Sequence, residues 1–293
     1  MALRFDRTLD ASYGEAIGLS PRIARLLAPN PGPFTFKGTG VYLVGEGERI
    51  AVIDPGPDLP GHIEALKRAI GSRAVSHILI THTHRDHSPA AAALKQWSGA
   101  KTYAAGPHGA AVGEVEEGAD RDFYPDVIVT DGNAIAGDGF TLICVATPGH
   151  TANHMCYALA EEQALFCGDH VMGWSTSVVA PPDGDMAAYL ASLEKLIARG
   201  DKILYPTHGS PITAPQDYLR ELMAHRRMRE AQILDCLGPD GDTATSLAAR
   251  LYPDIDSRLR GAATSQVQAH LNHLQQNGAA ASLPGGRYRR VSR

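Results

Sequence analysis

Residues 80–88 read Ile80-Thr81-His82-Thr83-His84-Arg85-Asp86-His87-Ser88. They follow an apolar run, VSHILITH (75–82), that predicts a buried strand. A continuing strand would send alternate side chains to opposite faces. His82, His84, Asp86 and His87 can therefore share one cleft only if the chain leaves the strand and turns. It then restarts at once: Ser88-Pro89 ahead of AAAALKQW predicts a helix with a serine N-cap and proline at N1. Imidazole and carboxylate together suit zinc, with manganese or iron as alternatives.

Outward from this loop the pattern alternates between strand and helix. VYLV (41–44) and RIAVID (49–54), separated by Gly45-Glu46-Gly47-Glu48, predict a hairpin. Residues 60–71 place Ile63, Leu66 and Ile70 at helical spacing between Pro60 and Gly71. Strands are expected at 101–105, 126–129, 140–146, 154–159, 163–167 and 202–209, with turns at 131–132 and 137–139. A helix is expected over 186–199. This is the pattern of an α/β fold.

The texture changes near residue 215. A long helix (215–236), two short amphipathic ones (243–252 and 264–278) and a hairpin around Gly285-Gly286 make the layout of a winged helix-turn-helix. The chain accordingly divides into a candidate metal-binding domain, 1–214, and a winged-helix-like domain, 215–293. Charge divides similarly: residues 218–293 hold 11 arginines, no lysine and 7 acidic residues, a local +4 in a chain of net −5.

Apolar residues are 44% and charged residues 20%, an ordinary globular balance. No stretch reaches the roughly 18 uninterrupted apolar residues of a membrane span, and the opening MALRFDRTLDASYG lacks the apolar core of a secretory signal. A soluble, cytoplasmic protein with no membrane partner is expected. Cys144, Cys156, Cys167 and Cys236 form no C-x-x-C pair, and the first three lie in apolar runs, which predicts inert core thiols.

Further ligand-type residues recur after strands, in glycine-rich loops: Thr147-Pro148-Gly149-His150, Cys167-Gly168-Asp169-His170 and Tyr205-Pro206-Thr207-His208-Gly209. The order HxHxDH, GH, GD, H before G over about residues 30–215 resembles the metallo-beta-lactamase superfamily. Asn30-Pro31-Gly32-Pro33, Ile53-Asp54-Pro55-Gly56 and the basic C-terminal module resemble its beta-lactamase-like protein 2 group. The resemblance implies a four-layered αββα sandwich with a C-terminal helical, winged-helix-like domain. It assigns His82, His84 and His150 to a first zinc ion, Asp86, His87 and His208 to a second, and Asp169 to both. It also implies that a water between two such ions, its pKa lowered from ~15.7 toward ~7, serves as the nucleophile, oriented by Asp86.

Around these residues, Asp54 is read as hydrogen-bonding support behind the loop and His154 as structural. His170 stands where the group carries a small residue or cysteine. It has two readings, a proton donor to the leaving group or a hydrogen-bonded structural side chain. Thr83 replaces a tryptophan of the group's pattern, and an asparagine usual near Gly40 is missing.

The expected activity is hydrolysis of a small-molecule ester, thioester or lactone. The alternative is cleavage of single-stranded RNA, with Arg287, Arg289, Arg290 and Arg293 on phosphates. Two further readings are an iron-dependent redox member of the fold and a winged-helix DNA reader. The last would use Gln266, Gln268, Asn272 and Gln275 on bases.

Overall fold

The computed structural model describes residues 4–9, 12–109 and 118–291. The first sheet opens with two strands that the residue pattern does not announce, β1 (Ala16–Gly18) and β2 (Ile23–Leu27). β2 hides a charge: Arg25 is buried and its guanidinium donates to the Gly209 carbonyl. The expected hairpin follows as β3 (Gly40–Val44) and β4 (Arg49–Ile53), with Tyr42 opposite Ile53. Helix α1 (Pro60–Ile70) crosses to β5 (Ala74–Leu79), parallel to β4. Helix α2 (Ala90–Ser98) then leads to β6 (Lys101–Ala104), and β7 (Val127–Ile128) closes the sheet in the order β1 to β7.

The second sheet contains β8 (Ala134–Gly137), β9 (Phe140–Ala146), β10 (Met155–Leu159), β11 (Ala164–Gly168) and β12 (Ile203–Pro206), ordered β12-β11-β10-β9-β8. β8 is the segment between the two expected turns. Helix α3 (Met186–Arg199) joins β11 to β12, with Asp185 capping its first turn through Ala188 N.

The two sheets face each other across a core that includes Tyr42, Ile53, Leu79, Leu142, Tyr157 and Phe166. On the outer face of the first sheet, Leu66, Ile70 and Leu94 of α1 and α2 pack on Ile50 and Ile78. On the outer face of the second, α3 packs on Val145, Cys156 and Leu165. The result is the expected α-β-β-α sandwich. Cys144, Cys156 and Cys167 are free and buried, as their apolar runs predict.

Helix α4 (Pro215–Cys236) serves both halves of the chain. Its Leu219, Leu222 and Met223 enter the α3 core, whereas Ile233 joins a separate cluster with Leu247, Val267 and Leu271. That cluster belongs to β13 (Asp242–Thr243), α5 (Ala244–Leu251), α6 (Arg260–Gln276), β14 (Ala280–Leu283) and β15 (Arg287–Arg290), with sheet order β13-β15-β14. Helices followed by a small sheet make a winged helix.

Two helix starts differ from expectation. Pro89, not Ser88, occupies the N-cap of α2, because the Ser88 hydroxyl is spent on Asp120 Oδ2 at 2.5 Å. Helix α6 begins four residues early, at Arg260, because a single 3-10 turn (Ser257–Leu259), capped by Asp256 on Arg258 N, runs straight into it. Among the described residues, no helix is long and apolar enough to cross a membrane.

Candidate metal centre

Four loops at strand ends bring the predicted ligands together. The loop after β5 carries His82, His84, Asp86 and His87; the β9–β10 turn carries His150; β11 ends into Asp169; β12 ends into His208. Three groups, His82/His84/His150, His82/His87/Asp169 and Asp86/His87/His208, each hold ligand atoms within 4.8 Å of one another. All seven residues therefore fall in one connected cluster.

The tautomers follow from each ring's other nitrogen. His150 Nδ1 donates to the Val178 carbonyl at 2.6 Å, and His208 Nδ1 donates to the Gly38 carbonyl at 3.1 Å. A carbonyl only accepts, so in the neutral form of both rings it is Nε2 that holds the lone pair. His82 Nδ1 lies 3.1 Å from Thr81 Oγ1, whose own proton goes to Asp54 Oδ2, so His82 also presents a bare Nε2. That atom stands 2.9 Å from His84 Nδ1, and His150 Nε2 stands 3.2 Å from the same atom. Three converging imidazole nitrogens at this spacing fit a tetrahedral cation, for which metal–nitrogen bonds of ~2.0–2.1 Å put the nitrogens about 3.3 Å apart.

The opposite side of the cluster is rich in carboxylate. His208 Nε2 lies 3.0 Å from Asp86 Oδ2 and 3.4 Å from Asp169 Oδ2, and His87 Nε2 lies 3.3 Å and 3.6 Å from the same two side chains. Burial alone would push the pKa of His208 down, but Asp169 and Asp86 outweigh it and hold it up at about 10. His87 is likewise raised against burial by Asp86, Asp169 and Asp54. Burial would raise both carboxylates, yet His87 and His208 keep Asp86 and Asp169 well below the usual range. A buried carboxylate and a half-buried one, side by side, thus demand positive charge, which protonated imidazoles or a divalent cation can supply.

Asp54, 1% exposed, supports the loop from behind. Its Oδ1 accepts Thr81 N at 2.7 Å; its Oδ2 accepts Thr81 Oγ1 at 2.7 Å, His87 Nδ1 at 2.9 Å and Thr207 Oγ1 at 3.2 Å. Asn30, from the Asn30-Pro31-Gly32-Pro33 stretch, holds Thr39 by two 2.9 Å bonds, and the Thr39 hydroxyl reaches Asp86 at 3.3 Å. Thr39 is a residue that sequence reasoning passes over, since a threonine beside glycines carries no ligand signal. Thr83 accepts from Asn153 Nδ2 at 2.9 Å and sits 3.0 Å from His108 Nδ1.

His154 lies outside the three ligand groups; its Nδ1 meets Thr147 Oγ1 at 2.8 Å. The structure also leaves His170 out of the cleft, contrary to its reading as a proton donor. The ring is fully buried, packed 4.5 Å from Tyr189, and absent from the cleft lining. Burial drives its pKa down to about 3, so it stays neutral. The residue after a ligand on a tight turn points to the opposite side, into the α3 layer.

A cleft of about 690 Å³ opens over this cluster, with His84, Asp86, His150, Asp169 and His208 in its lining. Phe34, Met172, Val178 and Ala180 line it from the sandwich, and Arg258, Gly261, Ala262 and Ser265 line it from the C-terminal module. No local pattern marks that second set. The arginines of β15 are absent from the lining, and Arg290 pairs with Asp235; Arg293 lies outside the described residues. Gln266 is buried against Val179 N, and Gln268 bonds Asn272 and Tyr288, so neither side chain is free to read bases.

Residues 35–208 match the family model of the metallo-beta-lactamase superfamily, and residues 243–287 match the beta-lactamase associated winged helix domain. The chain belongs to the metallo-beta-lactamase superfamily, whose members bind divalent metals. Within it, the chain is 34% identical over 264 residues to the beta-lactamase-like protein 2 homolog of Caenorhabditis elegans, covering 89% of this chain and 86% of that protein. It is 31% identical over 235 residues to an atrochrysone carboxyl ACP thioesterase of Cryptosporiopsis, covering 75% of this chain and 64% of that enzyme. Among solved structures, a metallo-beta-lactamase family protein of Thermus thermophilus superposes with a TM-score of 0.79 at 26% identity, covering 94% of this chain and all of that one.

Proposed function

We propose that the protein is a dinuclear zinc hydrolase acting on a small thioester, ester or lactone, with thioesters the first class to test. The observation that carries this reading is that the middle group, His82/His87/Asp169, shares His82 with one flanking group and His87 with the other, beneath a partly apolar cleft. Two zinc ions held there would supply Lewis acidity and an acidified water. His82, His84 and His150 would hold one ion, and Asp86, His87 and His208 the other, with Asp169 between them. Asp86 would also orient that water, since its Oδ2, held by the Thr39 hydroxyl, is a hydrogen-bond acceptor. Phe34, Met172 and Val178 offer apolar surface to an acyl chain. The similarity to a named thioesterase supports that substrate class. We take residues 1–214 as the catalytic domain and 215–293 as the C-terminal domain, with α4 serving both.

The test is a panel of thioesters, esters, lactones, phosphodiesters and single-stranded RNA presented to zinc-loaded protein, in parallel with manganese- and iron-loaded samples. Thioester turnover is expected, and it should vanish in His84→Ala and Asp169→Ala while circular dichroism stays native. Full activity in either variant refutes the assignment. Cleavage of RNA alone would select the nuclease reading, and oxygen uptake with iron the redox one.

A further inference from the structure

Between β11 and α3, residues 169–185 contain no helix or strand, a length at which loops in compact domains are usually functional. This segment carries the Val178 carbonyl that accepts His150 Nδ1 at 2.6 Å. A ligand imidazole is aimed by the group on its other nitrogen, so the placement of His150 is only as good as the placement of Val178. The residues on either side of Val178 are held by the C-terminal helices. Arg226 of α4, 2% exposed and stacked over Tyr189 at 4.8 Å, donates Nη2 to the Ser177 carbonyl at 2.6 Å. Gln266 of α6, 8% exposed, accepts Val179 N at 3.0 Å through Oε1.

We infer that Arg226 and Gln266 clamp the peptide units flanking Val178, and that the C-terminal helices are thereby a positioning element for His150 and the three-histidine metal position. This rests on the two-metal reading. It goes beyond it by giving the winged-helix module a role at the metal rather than at nucleic acid. Both contacts are buried side chain–backbone bonds across 49 and 87 residues of chain, and neither contributes to secondary structure. Ala269, one turn beyond Gln266, sits in the α3–α4 core and fixes how α6 docks.

Gln266→Met removes the acceptor at nearly constant volume, Gln266→Glu retains one, and Gln268→Ala breaks bonds made only inside the module. Zinc affinity is measured by chelator competition, amide hydrogen exchange is followed over residues 171–185, and Tm is measured on metal-free protein. Gln266→Met is expected to weaken one of two zinc equivalents about tenfold and to speed exchange at Val179. Gln266→Glu should restore both toward wild type, and Gln268→Ala should change neither, whatever its Tm. Wild-type zinc affinity in Gln266→Met overturns the clamp, as does an equal loss in Gln268→Ala. A wild-type protein that binds no zinc overturns the two-metal reading and the clamp with it. Two tight equivalents unaffected by Gln266→Met overturn the clamp alone.

Discussion

Replacing Asp54 by asparagine should weaken one metal position and spare the other. The substitution keeps size and shape, and asparagine tolerates the left-handed backbone at this position, φ 48°. What changes is the count of acceptors. Asp54 accepts four hydrogen bonds, three of them at Oδ2. Thr81 N–H cannot turn, so the amide oxygen must stay on it and the NH₂ must face the other three donors. The Thr207 hydroxyl can rotate to accept, and so can that of Thr81, whose second lone pair still accepts His82 Nδ1–H and keeps that tautomer. His87 can accept only by moving its proton from Nδ1 to Nε2, the nitrogen that faces Asp86 and Asp169. That nitrogen then has no lone pair to offer a cation. Loss of an outer hydrogen-bond partner costs about 10–100-fold in metal affinity. The lost charge on a fully buried network costs about 3–5 kcal/mol of stability. A two-equivalent zinc titration against a chelator should find the weaker equivalent lowered by that factor and the three-histidine equivalent within about twofold of wild type. Two unchanged equivalents would show that Asp54 does not set the His87 tautomer.

Gly149→Ala should unfold the His150 turn, because a Cβ at φ 139° would stand 2.3 Å from the Tyr189 Cα; a loss of about 3 kcal/mol or more is expected in denaturant midpoints. Ala262→Leu adds bulk to the cleft wall contributed by the C-terminal module, so kcat/KM should fall at least about tenfold for long acyl substrates relative to short ones, with zinc content unchanged. The Lys95 ammonium, followed by Thr102, lowers the Asp126 carboxyl to about 2. The unfolded value is 3.8, so this stabilising contribution is fully present above that pH and disappears as pH falls toward 2. The Tm difference between wild type and Asp126→Asn should therefore shrink over that window, and a difference independent of pH would contradict the assignment.

Most of the sandwich is legible in the chain because its strands and helices have strong local periodicity. The hairpin β3–β4, α1, α3 and α4 form where spacing and end signals put them. β2 is hidden by Arg25, whose charge reads as surface until the Gly209 carbonyl that satisfies it is seen. The start of α6 is hidden by a short 3-10 turn, and Ser88 reads as a cap although tertiary contact gives its hydroxyl to Asp120. His170 shows the limit most directly: adjacency to a ligand in sequence says nothing about which side of a turn a ring takes, and packing on Tyr189 sends this one inward.

The gathering of His82, His84, Asp86 and His87 in one turning loop is readable from the chain alone, because donor chemistry and a strand-to-loop context are local properties. The seven side chains need only to be gathered, and strand ends gather loops in any sandwich of this order. Which nitrogen each imidazole offers is decided by tertiary structure, through Asp54, Gly38 and Val178 on the far side of the rings. So is the C-terminal wall of the cleft, and so is the bond from Gln266 to Val179 across 87 residues. Such contacts depend on the angle at which one packed layer docks on another, and no periodicity in either segment encodes that angle.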